Sequence, residues 1–239
     1  MPGFVAYRED SAERPQFRRI GGVRFRMLYV PRGEGFRAES AARAAARRAQ
    51  REGIARAVFP KDYPYRAAFA RRGVLPPDAA ALHLACAPAL ARRAMAQLGL
   101  RGEGARLALA GARAAAALCA AATALAPQVR YLTLCLGSGG EALARRLRAA
   151  FGVAAELRRP DETIHADLTL VFDDLPVAAD GAVLPLVAAA AEYRLPEGLD
   201  PAGAGETELL AALFAAGALR PETLAVARVA LPREGLDKR

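Results

Sequence analysis

Between residues 106 and 174, short apolar runs alternate with alanine-rich runs of helical length. RLALAG (106–111) precedes ARAAAALCAAATALA (112–126), and YLTLCLG (131–137) precedes GGEALARRLRAAFG (139–152). AAELR (154–158) and ADLTLVFDD (166–174) complete the series. Apolar strands of about six residues separated by helices are the sequence form of βαβ units, which lay their strands in a parallel sheet. In such sheets a strand that ends in glycine before a helix marks where a dinucleotide is held. The first such turn reads Gly111-Ala112-Arg113-Ala114-Ala115-Ala116, with an arginine where the glycine that admits a phosphate belongs. The pattern therefore constrains the fold more tightly than the ligand.

The first hundred residues repeat the α/β punctuation. GFVAYR (3–8) and RFRMLYVP (24–31) predict strands, with Gly21-Gly22 as a turn between them. ESAARAAARRAQREG (39–53) predicts a helix with Ser40 near its start and Gly53 at its end. IARAVFP (54–60) predicts a third strand stopped by proline, and residues 65–72 a short helix. Residues 78–98 read either as one helix kinked at Pro88 or as a strand at 81–86 followed by a helix. Proline is tolerated in a first helical turn and costs about 3 kcal/mol in a helix interior, which favours the second arrangement. GLRGEG (99–104) reads as a linker. Further on, a strand is expected near 189–194, an amphipathic helix at GETELLAALFAAGA (205–218) and a last strand at LAVARVALP (224–232). The tail 233–239 is expected to fray. The expected protein is α/β: a Rossmann-like parallel sheet in the second half, about 105–235, after a smaller α/β domain over 1–100.

The net charge of +9 raises the question of nucleic acid, but 32 arginines against two lysines, with no asparagine and no tryptophan, look like GC-rich codon usage. The distribution is more telling. Residues 1–160 carry 28 basic and 11 acidic side chains, a net of +17, and residues 161–239 carry 6 and 14, a net of −8. Such a split is satisfied within one chain, between copies in a homo-oligomer, or by an anionic partner. Cys86, Cys119 and Cys135 have no paired spacing and are expected to be reduced thiols of a cytoplasmic protein. No secretion signal is legible at the N-terminus, and the uncharged run 114–129 is too short and alanine-rich to cross a bilayer. No membrane role is expected.

Several residues carry candidate chemistry. Arg113, after Gly111, either obstructs a pyrophosphate or grips a phosphate itself; a vestigial pocket with Arg113 facing solvent is the favoured expectation. Gly137-Ser138-Gly139-Gly140 follows the next strand, where an acid would take the ribose hydroxyls of NAD, and no acid precedes Glu141. NAD is thereby disfavoured, leaving the 2′-phosphate of NADP or no ligand. In a shifted register the same glycines form a small phosphate nest. A plain tight turn with Ser138 as N-cap is the favoured reading. Lys61, in a chain that otherwise uses arginine, could perform acid–base work that arginine cannot, with Asp62 beside it; an exposed loop lysine is the bland alternative.

His83 and Cys86 are spaced H-x-x-C and His165 is isolated, so no metal site is expected. Asp173-Asp174, at the carboxyl end of a strand, suits a metal or hydroxylated substrate, or is simply solvated. The arginines at 43, 47, 48 and 51 and at 145, 146 and 148 form helix stripes without interleaved aromatics, which favours solvated faces over nucleic acid.

Three stretches resemble the shikimate-dehydrogenase-like two-domain arrangement, in which a small α/β substrate domain precedes a nicotinamide-binding domain. AVFPKDYP (57–64) is similar to the region that holds that family's catalytic lysine, which the resemblance places at Lys61. IHADLTLVFDD (164–174) is similar to one of its strands, and ETELLAALFAAGA (206–218) to its C-terminal helix. The chain departs from that pattern at Arg113, at Leu136-Gly137-Ser138 and in having no asparagine. The favoured expectation is a degenerate Rossmann-like protein binding a nucleotide or small anion at Gly111, Arg113, Gly137, Ser138 and Gly139. The alternatives are an NADP-linked oxidoreductase using Lys61 and Asp62, and a non-enzymatic binder of an acidic partner or nucleic acid through its basic first 160 residues.

Overall fold

The computed structural model describes residues 1–8, 15–101 and 104–231. The chain folds as two compact units, Met1–Leu82 with Leu195–Thr223, and His83–Arg194 with Leu224–Arg239. The boundary expected at residues 100–105 is thereby corrected. The helix in 87–97 joins the second unit, and residues 195–223 return to the first.

In the first unit β1 (Gly3–Tyr7), β2 (Phe17–Ile20), β3 (Val23–Val30) and β4 (Ala57–Val58) form one sheet in the order β2-β3-β1-β4. β1 runs parallel to β3 and β4, and β2 pairs antiparallel with β3. β2 is absent from the expectations because FRRI lacks an apolar run. It is held as an edge strand by a two-residue hairpin, Gly21-Gly22, whose φ of 52° and 84° place both residues in the left-handed region that such turns need. The third expected strand pairs over only two residues before Pro60. The helix α1 (Phe36–Arg51) starts four residues before Ser40, from Gly35. Its alanines 38, 42, 46 and 49 are buried; three of them, 42, 46 and 49, form a small-residue stripe against Val5, Leu28 and Val30. α2 (Arg66–Ala70) follows.

The strand expected at 81–86 is helical: α3 (Ala79–Ala85) leads directly into α4 (Ala87–Gln97). Pro88 lies in the first turn of α4, as expected, and the alanine-rich stretch before it prefers helix over strand.

The second unit places β5 (Arg106–Gly111), α5 (Ala116–Leu125), β6 (Tyr131–Leu136), α6 (Gly140–Phe151), β7 (Glu156–Arg158), β8 (Leu168–Val171) and β9 (Ala182–Pro185). All five strands are parallel, in the order β7-β6-β5-β8-β9. This is the Rossmann-like order: the chain leaves β5 in one direction and later crosses back to its other side. Because such a sheet is covered on both faces, residues 107–111 and 132–136 are buried without alternation. β9 sits in a Pro/Gly/Ala-rich passage and is the strand of this sheet that the sequence does not announce. Ile164, Ala166, Val177, Ala179 and Val183 pack on Ala108 and Ala110 in place of a crossover helix. β10 (Ala191–Arg194) pairs antiparallel with β11 (Ala225–Val229) in a separate ribbon. Between them α7 (Glu206–Ala215) belongs to the first unit, where Leu209 and Leu213 pack on Phe4, Phe25 and Met27. The expected fraying of 233–239 lies outside the described residues. Among the described residues no helix is long and apolar enough to cross a membrane.

Candidate functional site

In a sheet of this order ligands bind outside the carboxyl ends of the strands, beside the point where the order reverses. That point lies between β5, ending at Gly111, and β8, ending at Val171. Asp173, just past β8, fills it. One carboxylate oxygen accepts the Ala112 N–H at 2.5 Å and the other accepts the Leu175 N–H at 3.1 Å. Asp173 is thus the anchor of the β5–α5 turn. Both of its carboxylate oxygens are engaged by backbone N–H groups.

The candidate residues Gly111, Arg113, Gly137, Ser138 and Gly139 are brought together, because the turns after β5 and β6 lock onto each other. The Gly137 N–H donates to the Gly111 carbonyl at 3.3 Å, and the Ala114 N–H to the Ser138 carbonyl at 3.0 Å. A Cβ at Gly137 would lie 2.7 Å from the Ala112 oxygen, and one at Gly139 2.9 Å from the Ala114 Cβ. These two glycines are therefore demanded by the contact between the turns. In the turn before α5 the N–H groups of Ala112, Ala114 and Ala115 all donate to protein oxygens, the last to the Arg113 carbonyl at 2.8 Å, while α5 itself has no side-chain cap. The Arg113 side chain is exposed. Ser138 does not cap α6; the N-cap is Gly139, left-handed at φ 78°, with no side-chain cap.

A cleft of 580 Å³ opens on the other side of this loop, at the carboxyl ends of β6 and β7. Gly137–Gly140 and the first turn of α6 form one wall, and Arg145, Arg158, Arg159, Glu141 and Glu162 supply its charge. Arg158 is engaged by Glu156 at 2.6 Å and by Glu162 at 3.7 Å. The Arg159 backbone N–H donates to Glu162 at 3.4 Å, and the guanidinium groups of Arg145 and Arg159 have no carboxylate partner among the described residues. The open N-terminus of α6 carries a partial positive charge on unsatisfied N–H groups, so helix and arginines reinforce one another. Arg158 and Arg159 were missed at the sequence level, although two arginines at the end of a parallel strand occupy a ligand-facing position.

Lys61 and Asp62 belong to the first unit. Phe59 and Pro60 lead into them from β4, and the Lys61 N–H donates to the Gly203 carbonyl at 3.1 Å. Glu208, from the first turn of α7, accepts the Phe59 N–H at 3.0 Å and pairs with Arg66, fixing the same turn. Asp62 is left-handed at φ 57°. Of the two histidines, His83 is buried with Nδ1 3.2 Å from the Leu186 carbonyl, and His165 is exposed and 2.5 Å from Asp180. Among the described residues no three metal-ligating side chains converge.

No family model matches the chain, and no curated protein matches it. Among solved structures it is similar to ligand-free 5-ketofructose reductase of Gluconobacter sp. strain CHM43, at 12% identity over 74% of this chain and 73% of that one, with a TM-score of 0.32. It is similar to shikimate 5-dehydrogenase from Listeria monocytogenes in complex with shikimate and NAD, at 12% identity, 62% and 57% coverage and a TM-score of 0.27. It is also similar to quinate dehydrogenase from Corynebacterium glutamicum in complex with NAD, at 14% identity, 71% and 69% coverage and a TM-score of 0.27. The Rossmann-like assignment rests on the strand order of the second unit.

Proposed function

We propose that the second unit binds a phosphate-bearing nucleotide or small anion in the cleft at the carboxyl ends of β6 and β7, and that the turn after β5 has lost the pyrophosphate role. One observation carries this reading: Arg145, Arg158 and Arg159 share a 580 Å³ cleft with the uncapped N-terminus of α6. Guanidinium groups take phosphate oxygens bidentately, and helix N–H groups complete the shell. At the β5 turn the reverse holds. The Asp173 carboxylate occupies the position from which a second anion would be repelled, and the N–H groups of Ala112, Ala114 and Ala115 are already bonded. With no acid on the β6 loop before Glu141, a 2′-phosphate is favoured over a free ribose, so NADP is preferred to NAD.

The test is thermal unfolding of the full chain against NADP, NAD, ATP and inorganic phosphate. A ligand at a hundred times its dissociation constant stabilises by roughly 2.7 kcal/mol, which is a readable rise in midpoint. A rise with NADP larger than with NAD supports the reading. The absence of a rise with every nucleotide and with phosphate contradicts it.

An NADP-linked oxidoreductase of shikimate-dehydrogenase-like type is the second reading. It is favoured by the position of Lys61 in a cleft wall of the first unit, next to left-handed Asp62. Turnover of NADPH that survives Lys61→Met unchanged would remove Lys61 from catalysis.

A further inference from the structure

The first unit holds a cleft of 790 Å³ that the nucleotide reading does not use. It opens at the carboxyl ends of β1, β3 and β4, with Tyr7, Tyr29, Arg18, Arg32, Lys61 and Asp200 around it and Phe4 and Met27 at its floor. β2, the strand that the sequence does not announce, supplies Arg18. Among the described residues the charges do not balance. Both oxygens of Asp200 are used, one by Arg18 at 3.3 Å and the other by the Ala202 N–H at 2.8 Å. Arg32 lies over the Tyr7 ring at 5.3 Å, and neither Arg32 nor Lys61 has a carboxylate partner among the described residues. Two positive charges thus face one apolar-floored cleft without a counter-charge from described side chains.

The rim is held firmly as well. Lys61 is pinned to Gly203, and Pro60 forms a bridge with Ala204. Asp62 and Ala202 are the two non-glycine residues with left-handed backbone among the described residues, at φ 57° and 50°, and they flank this contact. Such conformations persist only where surrounding structure over-determines them, and they concentrate at ligand sites. A pre-set rim lowers the ordering cost of binding.

From this charge excess, cleft volume and rim geometry we infer that the first unit binds a small dianion, a phosphomonoester or a dicarboxylate. Arg32 and Lys61 are its two counter-charges, and the half-buried Ala6, Tyr7 and Tyr29 meet its organic body. Lys61 acts here as a binding cation, and the inference does not rest on nucleotide binding in the second unit.

The experiment is calorimetric titration of the full chain carrying Arg145→Ala and Arg159→Ala, which removes from the other cleft the two arginines whose side chains have no carboxylate partner among the described residues and leaves Arg158 on Glu156 and Glu162, with inorganic phosphate, succinate and acetate. The dianions should bind at least roughly tenfold more tightly than acetate, and Arg32→Gln or Lys61→Gln should each weaken them about tenfold, as expected for loss of a charge-assisted hydrogen bond. Lys61→Arg, which keeps the charge, should stay within about threefold of the parent. Preference for phosphate assigns a phosphomonoester, and preference for succinate a dicarboxylate. Equal binding of acetate, no binding of any probe, or dianion affinity unchanged by both glutamine variants would overturn the inference.

Discussion

Asp173 and Ala112 are joined by a hydrogen bond of 2.5 Å, from the N–H of the turn after β5 to a carboxylate just past β8. The bond spans the point where the order of the parallel sheet reverses, so a fixed negative charge sits where comparable folds receive a phosphate. Removing it should act on stability before it acts on binding. Asp173→Ala leaves the Ala112 and Leu175 N–H groups without their acceptor and should cost about 1–3 kcal/mol, read by urea denaturation. Nucleotide affinity at the β6–β7 cleft should be retained or improved. A stability change below about 0.5 kcal/mol, the range of an ordinary surface substitution, would show that the bond does not hold the turn.

The glycines of the β6–α6 loop separate packing from ligand approach. Gly137→Ala pushes a methyl group to 2.7 Å from the Ala112 oxygen, and Gly139→Ala combines a 2.9 Å approach with a left-handed backbone. Each should destabilise by about 1–3 kcal/mol. Gly140→Ala meets Leu157 only at 3.5 Å and should be tolerated within about 0.5 kcal/mol. Equal thermal midpoints for all three variants would contradict the close packing of the two turns.

A second polar network governs acid stability in the first unit. Arg26, 7% exposed, donates to Glu52 at 2.6 and 2.8 Å and to Gln16 at 2.9 Å, and Arg48 adds a bond to Glu52 at 2.9 Å. The Arg26 hydrogen bond lowers the Glu52 carboxyl from 4.5 to about 2, against the opposing effect of burial. A depressed carboxyl stabilises the fold above its unfolded value, and that contribution is lost as pH falls from about 4.5 towards 2. Glu52→Gln should cost about 2 kcal/mol at pH 7. This is less than the roughly 3–5 of a fully buried pair, because 31% of the Glu52 side chain is exposed. The gap between parent and variant should narrow as denaturation is repeated from pH 5 to pH 3; a gap independent of pH would refute the assignment.

The strands of the parallel sheet were legible because residues buried on both faces leave uninterrupted apolar runs, as in RLALAG and YLTLCL. β2 was not, because FRRI has no such run, and β9 was not, because Pro185 breaks the apolar run 182–191 after three residues. The division into units was also hidden: α7 has the composition of any core helix, and only packing of Leu209 and Leu213 on Phe4 and Phe25 assigns it to the first sheet. At the candidate site, Arg113 and the glycines were visible as a broken motif. The partner that occupies the turn, Asp173, lies sixty-one residues from Ala112 in sequence, and its role required the strand order. Arg158 and Arg159 were overlooked among 32 arginines, where composition masks position.

The most direct test of nucleotide binding in the second unit is the ratio of NADP to NAD affinity, measured by calorimetry in the parent chain and in a protein carrying Arg145→Ala and Arg159→Ala. NADP should bind at least roughly tenfold more tightly than NAD in the parent, and the double substitution should erase most of that difference, since each charge-assisted contact is worth about 1.5–3 kcal/mol. Equal affinities in the parent, or a preference for NADP that survives both substitutions, would contradict a phosphate held in the cleft between β6 and β7.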